Sequence, residues 1–128
     1  MTKRVLSVGQ CVPDHAAISR MLKSAFDVTI TQADTGPAAL ELMRMQPFDL
    51  VLINRKLDID YSDGNEILRA IKADAGLAAT PVMIVTNYAE HQDNAVALGA
   101  ERGFGKSDLG TSDVVAKLEP WLGKDAQG

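Results

Sequence analysis

The position that says most about chemistry in this chain is Asn54, at the end of an apolar run. Residues 48–53 are typical of a buried strand, and Asn54 follows them directly. In a parallel α/β sheet, ligands and chemistry sit at the carboxyl ends of the strands. An aspartate there could bind a divalent cation and accept a phosphoryl group, whereas asparagine offers a neutral amide and one weak oxygen ligand. The sequence therefore predicts a strand-end site that lacks its anionic nucleophile.

The elements that position this site alternate between strand-like and helix-like patterns. Strands are expected over residues 5–8, 28–30, 48–53 and 81–86, with a weak fifth strand over residues 102–105. Helices are expected over residues 13–25, 38–43, 65–73, 90–98 and 111–121. Such alternation predicts parallel βαβ units with right-handed crossovers. Because the third and fourth strands are apolar throughout, both faces of the sheet should be covered, and we expect an α/β fold with a five-stranded parallel sheet in a doubly wound three-layer sandwich.

Length and charge narrow the class of protein. A chain of 128 residues, 46% hydrophobic and 23% charged, fits one globular domain, which we place at residues 1–122, with a tail at residues 123–128. The net charge of −4 and the lack of a basic stripe disfavour nucleic-acid binding. The first apolar run is too short for a signal peptide or a membrane span, and the single cysteine, Cys11, cannot form an internal disulfide. These features predict a cytoplasmic protein that is not inserted in a membrane.

Several local patterns are similar to the receiver domain of bacterial two-component response regulators. Residues 48–53 resemble the segment before the phosphoacceptor, and Asp63-Gly64 resembles the start of the family's third helix. Thr86 matches the switch threonine that ends the fourth strand, and Lys106 has the spacing of the site lysine. The resemblance covers residues 3 to about 121. It implies a flavodoxin-like order of strands and a role in two-component or phosphorelay signalling.

The acidic site of the family is missing from this sequence. A working receiver binds Mg²⁺ with an acidic pair after the first strand and with the acceptor aspartate. Those positions map onto Gly9, Gln10 and Asn54, and none of them is a carboxylate. Magnesium is held mainly by carboxylates and phosphate oxygens, so no useful Mg²⁺ affinity is expected. Of the family's site residues, only Thr86 and Lys106 remain to contact a phosphoryl group. The resemblance therefore implies a degenerate receiver that uses no metal or cofactor and is not phosphorylated at Asn54.

The segments that read out phosphorylation in the family also differ here. The loop from Asn54 to Asp63 is two residues longer than the family's usual spacing. The switch aromatic maps onto Gly103, and Phe104, one position further along, should point to the opposite face of its strand. We therefore expect the coupling between the switch threonine and an aromatic residue to be absent.

Together these features favour a pseudo-receiver that signals by protein–protein interaction without phosphorylation. The expected interaction surface combines the fourth helix (90–98), Phe104 of the fifth strand and the fifth helix (111–121). We do not expect an enzyme, because the sequence lacks a nucleophile–base pair and paired carboxylates. Neither the partner nor the oligomeric state follows from the sequence.

Two alternatives to this interpretation stay open. In the first, a strand-end pocket lined by Gln10, Asn54, Thr86 and Lys106 binds an anion or a metabolite, which would make the protein a small-ligand sensor. In the second, the lengthened loop supplies a displaced phosphoacceptor. The carboxylates available for that role are Asp58, Asp60 and Asp63.

Other residues near the site have structural interpretations. Lys106 is expected to hydrogen-bond Asn54 and nearby carbonyls. Asp14 follows Pro13 and is expected to be the N-cap of the first helix. His15 and His91 have no partner at ligand spacing, so the sequence does not predict a metal site.

Overall fold

Strands and helices alternate along the computed structural model, which describes residues 2–124. The strands are β1 (Lys3–Val8), β2 (Val28–Ala33), β3 (Leu50–Asn54) and β4 (Val82–Val85). The helices are α1 (Val12–Ala25), α2 (Gly36–Met45), α3 (Gly64–Ala73), α4 (Ala89–Ala97) and α5 (Ser112–Leu122), with a short 3-10 helix at Lys106–Asp108. Most of the predicted tail, residues 125–128, lies outside the described residues. Within residues 2–124, no helix combines the length and apolar character that crossing a bilayer requires.

All four strands are parallel and lie in the order β2-β1-β3-β4. The register pairs Val8 with both Ala33 and Ile53, and it pairs Asn54 with Val85. The carboxyl ends of the strands therefore meet along one edge of the sheet. In open α/β sheets, this edge is the one that binds ligands.

The sheet is covered on both faces, as the apolar strands predicted. Leu50 and Leu52 of β3 lie in a core cluster with buried residues of α1 and α5. Val51 and Ile53 point the other way, into a cluster with α2, α3 and α4. Because successive strand residues face opposite sides, an uninterrupted apolar strand can pack against two helical layers at once. The three-layer sandwich is thus confirmed.

The prediction of a fifth strand is wrong, since the part of the chain that the structure describes contains four. The segment 101–105 does run beside β4. The amide of Glu101 donates to the carbonyl of Val82 at 2.8 Å, and the amide of Thr86 donates to the carbonyl of Phe104 at 3.0 Å. Between these two bonds, the ladder is interrupted.

The interruption is caused by the side chain of Gln92 on α4, which is 5% exposed. Its Nε2 donates to the carbonyls of Ile84 (3.0 Å) and Thr86 (3.2 Å), and its Oε1 accepts from the amide of Gly103 (2.8 Å). The carboxamide thus takes up backbone groups that a strand ladder would pair directly. No periodicity in segment 101–105 could reveal a side chain that comes from a different helix.

The start of α1 also differs from the prediction. The N-cap is Cys11, and Val12 begins the helix before Pro13. Asp14 therefore lies in the first turn of α1 and is not its N-cap. This difference matters because a first-turn side chain can reach across the edge of the sheet.

Candidate functional site

A cavity of about 450 Å³, here called the strand-end cavity, lies at the carboxyl ends of β3 and β4. Of the sequence-predicted site residues, Asn54, Thr86 and Lys106 line it. Gly9 and Gln10 do not. The other walls come from the start of α1, the β3–α3 loop (residues 55–63) and the segment that leads into α4.

Gly9 adopts a conformation that leaves no room for an acid. Its φ is +74°, and a Cβ built there would lie 2.5 Å from Cγ of Leu57, a residue that is 1% exposed. The carbonyl of Gly9 accepts hydrogen bonds from Nδ2 of Asn54 (3.2 Å) and from the amide of Asp58 (2.9 Å). The β3–α3 loop therefore closes over the position of the family's first acid.

Gln10 is 3% exposed and, contrary to the prediction, does not line the strand-end cavity. Within the described residues, neither its Oε1 nor its Nε2 has a hydrogen-bond partner. A side chain buried outside the cavity wall cannot contact a ligand at the strand ends. The sequence could not show this, since the burial follows from how the chain turns after Gly9.

Lys106 pairs with Asp14, whereas the sequence predicted a hydrogen bond with Asn54. Its Nζ lies 2.6 Å from Oδ2 of Asp14. Burial acts to raise the pKa of Asp14, but hydrogen bonds from Lys106 and Cys11 outweigh it and hold that pKa below its ordinary value. The hydrogen bond with Asp14 in turn raises the pKa of the Cys11 thiol. Cys11 therefore stays in the unreactive thiol form at neutral pH.

Thr86 contacts a histidine that the sequence interpretation left out of the site. Its Oγ1 lies 3.2 Å from Nδ1 of His91 and accepts from the amide of Tyr88 at 3.4 Å. The His91 and Tyr88 rings meet edge to face, with centroids 5.4 Å apart. The signal that could have found it is that His91 lies in the first turn of the helix that begins shortly after Thr86.

The three possible displaced acceptors are in different environments. Asp58 is exposed and lines the strand-end cavity. Asp60 does not line it, and hydrogen bonds from the side chain and backbone of Ser62 lower its pKa. Asp63 caps α3 by accepting from the amide of Asn65 at 2.9 Å, and it pairs with Arg55 at 3.4 Å.

The switch position is structurally closed to an aromatic side chain. A Cβ at Gly103 would lie 2.4 Å from the carbonyl oxygen of Ile84. Phe104 is 2% exposed and packs in the core cluster of α1 and α5, on the side of the sheet opposite α4. The prediction that Phe104 contributes to an interaction surface is therefore wrong.

The residues present do not fit the divalent cation that the family's acidic site would hold. The carboxylates lining the strand-end cavity are Asp14, which Lys106 already engages, and Asp58. No group of three or more His, Cys, Asp or Glu residues able to hold a metal occurs within residues 2–124. Since magnesium needs several oxygen ligands in octahedral geometry, this set is too small.

A parallel β2-β1-β3-β4 sheet, with helices on both faces and a threonine and a lysine at the strand ends, defines a flavodoxin-like α/β domain. Residues 10–107 match the model of the response regulator receiver domain family, and the chain belongs to that family. It is thus a receiver domain of two-component signalling.

Solved structures agree with this assignment at the level of the fold. The Mn²⁺-bound response regulator Rcp1 is 22% identical, with 98% of this chain and 99% of that chain covered and a TM-score of 0.74. CheY4 of Vibrio cholerae is 20% identical, with 95% and 100% covered and a TM-score of 0.77. The signal receiver domain of a DNA-binding response regulator (merR) from Colwellia psychrerythraea 34H is 22% identical, with 91% and 95% covered and a TM-score of 0.75.

Proposed function

We propose that this receiver domain works without phosphorylation at residue 54 and transmits its signal by binding a partner protein in the cytoplasm. The main observation that supports the proposal is that the carboxyl end of β1 is closed. Leu57 lies where a side chain on Gly9 would go, and the Gly9 carbonyl is bonded to the Asn54 amide. A site built in this way has lost both the space and the charge for the family's metal.

The two site residues that remain are engaged within the protein. Phosphoryl transfer depends on positioned cations and donors that meet the charge on the transferring group. Here Lys106 is paired with Asp14, and the hydroxyl of Thr86 lies against His91. These contacts support a domain held in one conformation, with no catalytic activity of its own.

The face of α4 and α5 is the surface we assign to the partner. Val96 on α4 is 44% exposed, and Trp121 on α5 is half-buried. Gln92 fixes α4 against β4 and the segment 101–105 through three hydrogen bonds to the backbone. A fixed helix face suits a partner that recognises one constant conformation, because no ordering cost is added on binding.

Intact-mass spectrometry tests the proposal. The protein is incubated with acetyl phosphate and Mg²⁺ beside a receiver domain that has an aspartate acceptor as the positive control. We expect no mass gain here, against a gain of about 80 Da, one phosphoryl group, in the control. A stoichiometric adduct would overturn the proposal. Peptide mapping of such an adduct to Asp58, Asp60 or Asp63 would instead establish a displaced acceptor.

A further inference from the structure

We propose that the strand-end cavity binds a small aromatic carboxylate. This goes beyond partner binding, because it assigns a small-molecule ligand to the cavity at the strand ends and not to the exposed face of α4 and α5. The cavity, at about 450 Å³, lies within the range of ordinary small-molecule sites, roughly 300–1,000 Å³. Its walls combine an apolar surface with a few cationic groups, which is the composition such sites share.

The apolar part of the cavity is dominated by two tyrosine rings. Tyr61 is 77% exposed and Tyr88 is 64% exposed, and both line the cavity together with Leu57 and Val85. Exposed apolar side chains that gather around one cavity form the kind of patch that marks a ligand site. Rings of this kind favour a flat, aromatic ligand, since they can stack on it or meet it edge to face.

The backbone of Tyr61 is held in an unfavourable conformation. Its φ of +59° is the only positive φ of a non-glycine residue within residues 2–124. The amide of Tyr61 donates to the carbonyl of Leu57 at 2.8 Å, and the amide of Leu57 donates to the carbonyl of Ser62 at 2.9 Å. Asparagine or glycine would adopt this conformation more readily. A bulky residue kept there, with its ring at the cavity, indicates that the ring has a function.

The charged part of the cavity favours an anion. Lys106 is paired with Asp14, but Arg55 and Lys56 add two further cations to the wall, against the single remaining carboxylate of Asp58. Arg55 pairs with Asp63 through Nη1, and 25% of its side chain remains exposed where it lines the cavity. A guanidinium binds a carboxylate through charge-assisted hydrogen bonds that can be bidentate.

Four probes separate the parts of the proposal in titrations followed by amide NMR. They are benzoate, its neutral analogue benzamide, acetate and inorganic phosphate. Benzoate should bind with a Kd of about 1 mM or tighter, as expected for so few atoms, and should shift amides of the β3–α3 loop and of residues 86–91. Benzamide and acetate should each bind at least about tenfold more weakly. Absent binding of benzoate, or phosphate binding as tight as benzoate, would overturn the proposal.

The variant Tyr61→Asn distinguishes a ligand role from a structural one. It removes the ring and relieves the backbone, so the thermal midpoint should stay the same or rise while benzoate affinity falls at least about fivefold. The exposed Met45 on α2 gives a remote control, Met45→Asn, which should leave benzoate affinity unchanged. Undiminished binding in Tyr61→Asn would contradict the proposal.

The cationic wall is tested with Arg55→Gln, which should abolish the preference for benzoate over benzamide. Because Arg55 also pairs with the cap of α3, Lys56→Gln serves as a second variant that leaves that cap untouched. If both variants still preferred benzoate over benzamide, the assignment of the anion site would be wrong. Failure of these tests leaves the phosphorylation proposal standing, since mass spectrometry decides that separately.

Discussion

At the scale of single residues, Asn54 is best understood through the atom it contacts. Its Nδ2 donates to the carbonyl of Gly9, so the amide has a structural role that a carboxylate cannot fill. The side chain is therefore more than a disabled acceptor. It helps to hold the β3–α3 loop against the end of β1.

The substitution Asn54→Asp should destabilise the domain at neutral pH. A carboxylate facing the Gly9 carbonyl loses a hydrogen bond and adds repulsion, with an expected cost of about 1–2 kcal/mol in the free energy of unfolding. Urea denaturation measures this, with Asn94→Asp on the exposed side of α4 as the control. Asn54→Asp should also remain unphosphorylated when it is incubated with acetyl phosphate and Mg²⁺. Ready phosphorylation of Asn54→Asp would mean that the positions of the acidic site have been assigned wrongly.

Gly9 and Leu57 illustrate why part of the site could not be read from the sequence. The neutral residues at positions 9, 10 and 54 are visible in the chain, and the prediction of a lost acidic site rests on them. The contact between Gly9 and Leu57 joins residues far apart in the chain, and no local pattern encodes it. The pairing of Lys106 with Asp14 was missed for the same reason. In addition, the N-cap of α1 is Cys11, three residues before the predicted N-cap Asp14.

A double-mutant cycle tests the obstruction by Leu57. Gly9→Ala should cost about 2–3 kcal/mol, because it combines a positive φ with a clash. Gly110→Ala is a matched control, since Gly110 has φ +90° but nothing within 4 Å of its added Cβ. In a Leu57→Ala background the cost of Gly9→Ala should fall by about 1 kcal/mol. Equal costs in both backgrounds would show that Leu57 does not close the site.

At the scale of elements, the sequence predicts the order of strands and helices well, and it fails at the edge of the sheet. Strands β3 and β4 bury continuous apolar runs, so their patterns are strong. The segment 101–105 has little such pattern, and a side chain from α4 decides its structure. The bonds of Gln92 join α4, β4 and this segment into one unit. Such a unit is expected to resist the shifts that a phosphorylation switch would need.

Gln92→Leu should loosen that unit. Burying the carbonyl of Ile84 and the amide of Gly103 without partners should cost about 2–4 kcal/mol. Hydrogen exchange at the Gly103 amide should accelerate beyond the change in global stability. Asn94→Leu, an exposed amide-to-leucine change on the same helix, serves as the control. A Gly103 amide that stays fully protected in Gln92→Leu would contradict the bridging role.

At the scale of the whole molecule, the ion pair of Asp14 and Lys106 connects the first helix to the segment that follows α4. Both residues line the strand-end cavity, so the pair forms part of its wall. Because the pair lowers the pKa of Asp14 in the folded state, it stabilises the fold above the unfolded pKa of about 4. That stabilisation is lost as the pH falls through the lower folded value.

Asp14→Asn should therefore reduce stability in a pH-dependent way. Both partners are partly exposed, with side chains 28% and 34% accessible, so the loss near pH 6 should be modest, about 0.5–1 kcal/mol, and smaller in high salt. Once the pH is below the lowered folded pKa, the wild type and the variant should unfold alike, since Asp14 is then protonated in both states. Urea denaturation from pH 2.5 to pH 7 measures the difference, with the exposed Asp34→Asn as control. A difference that persisted unchanged at the acid end would exclude the ion pair as its source.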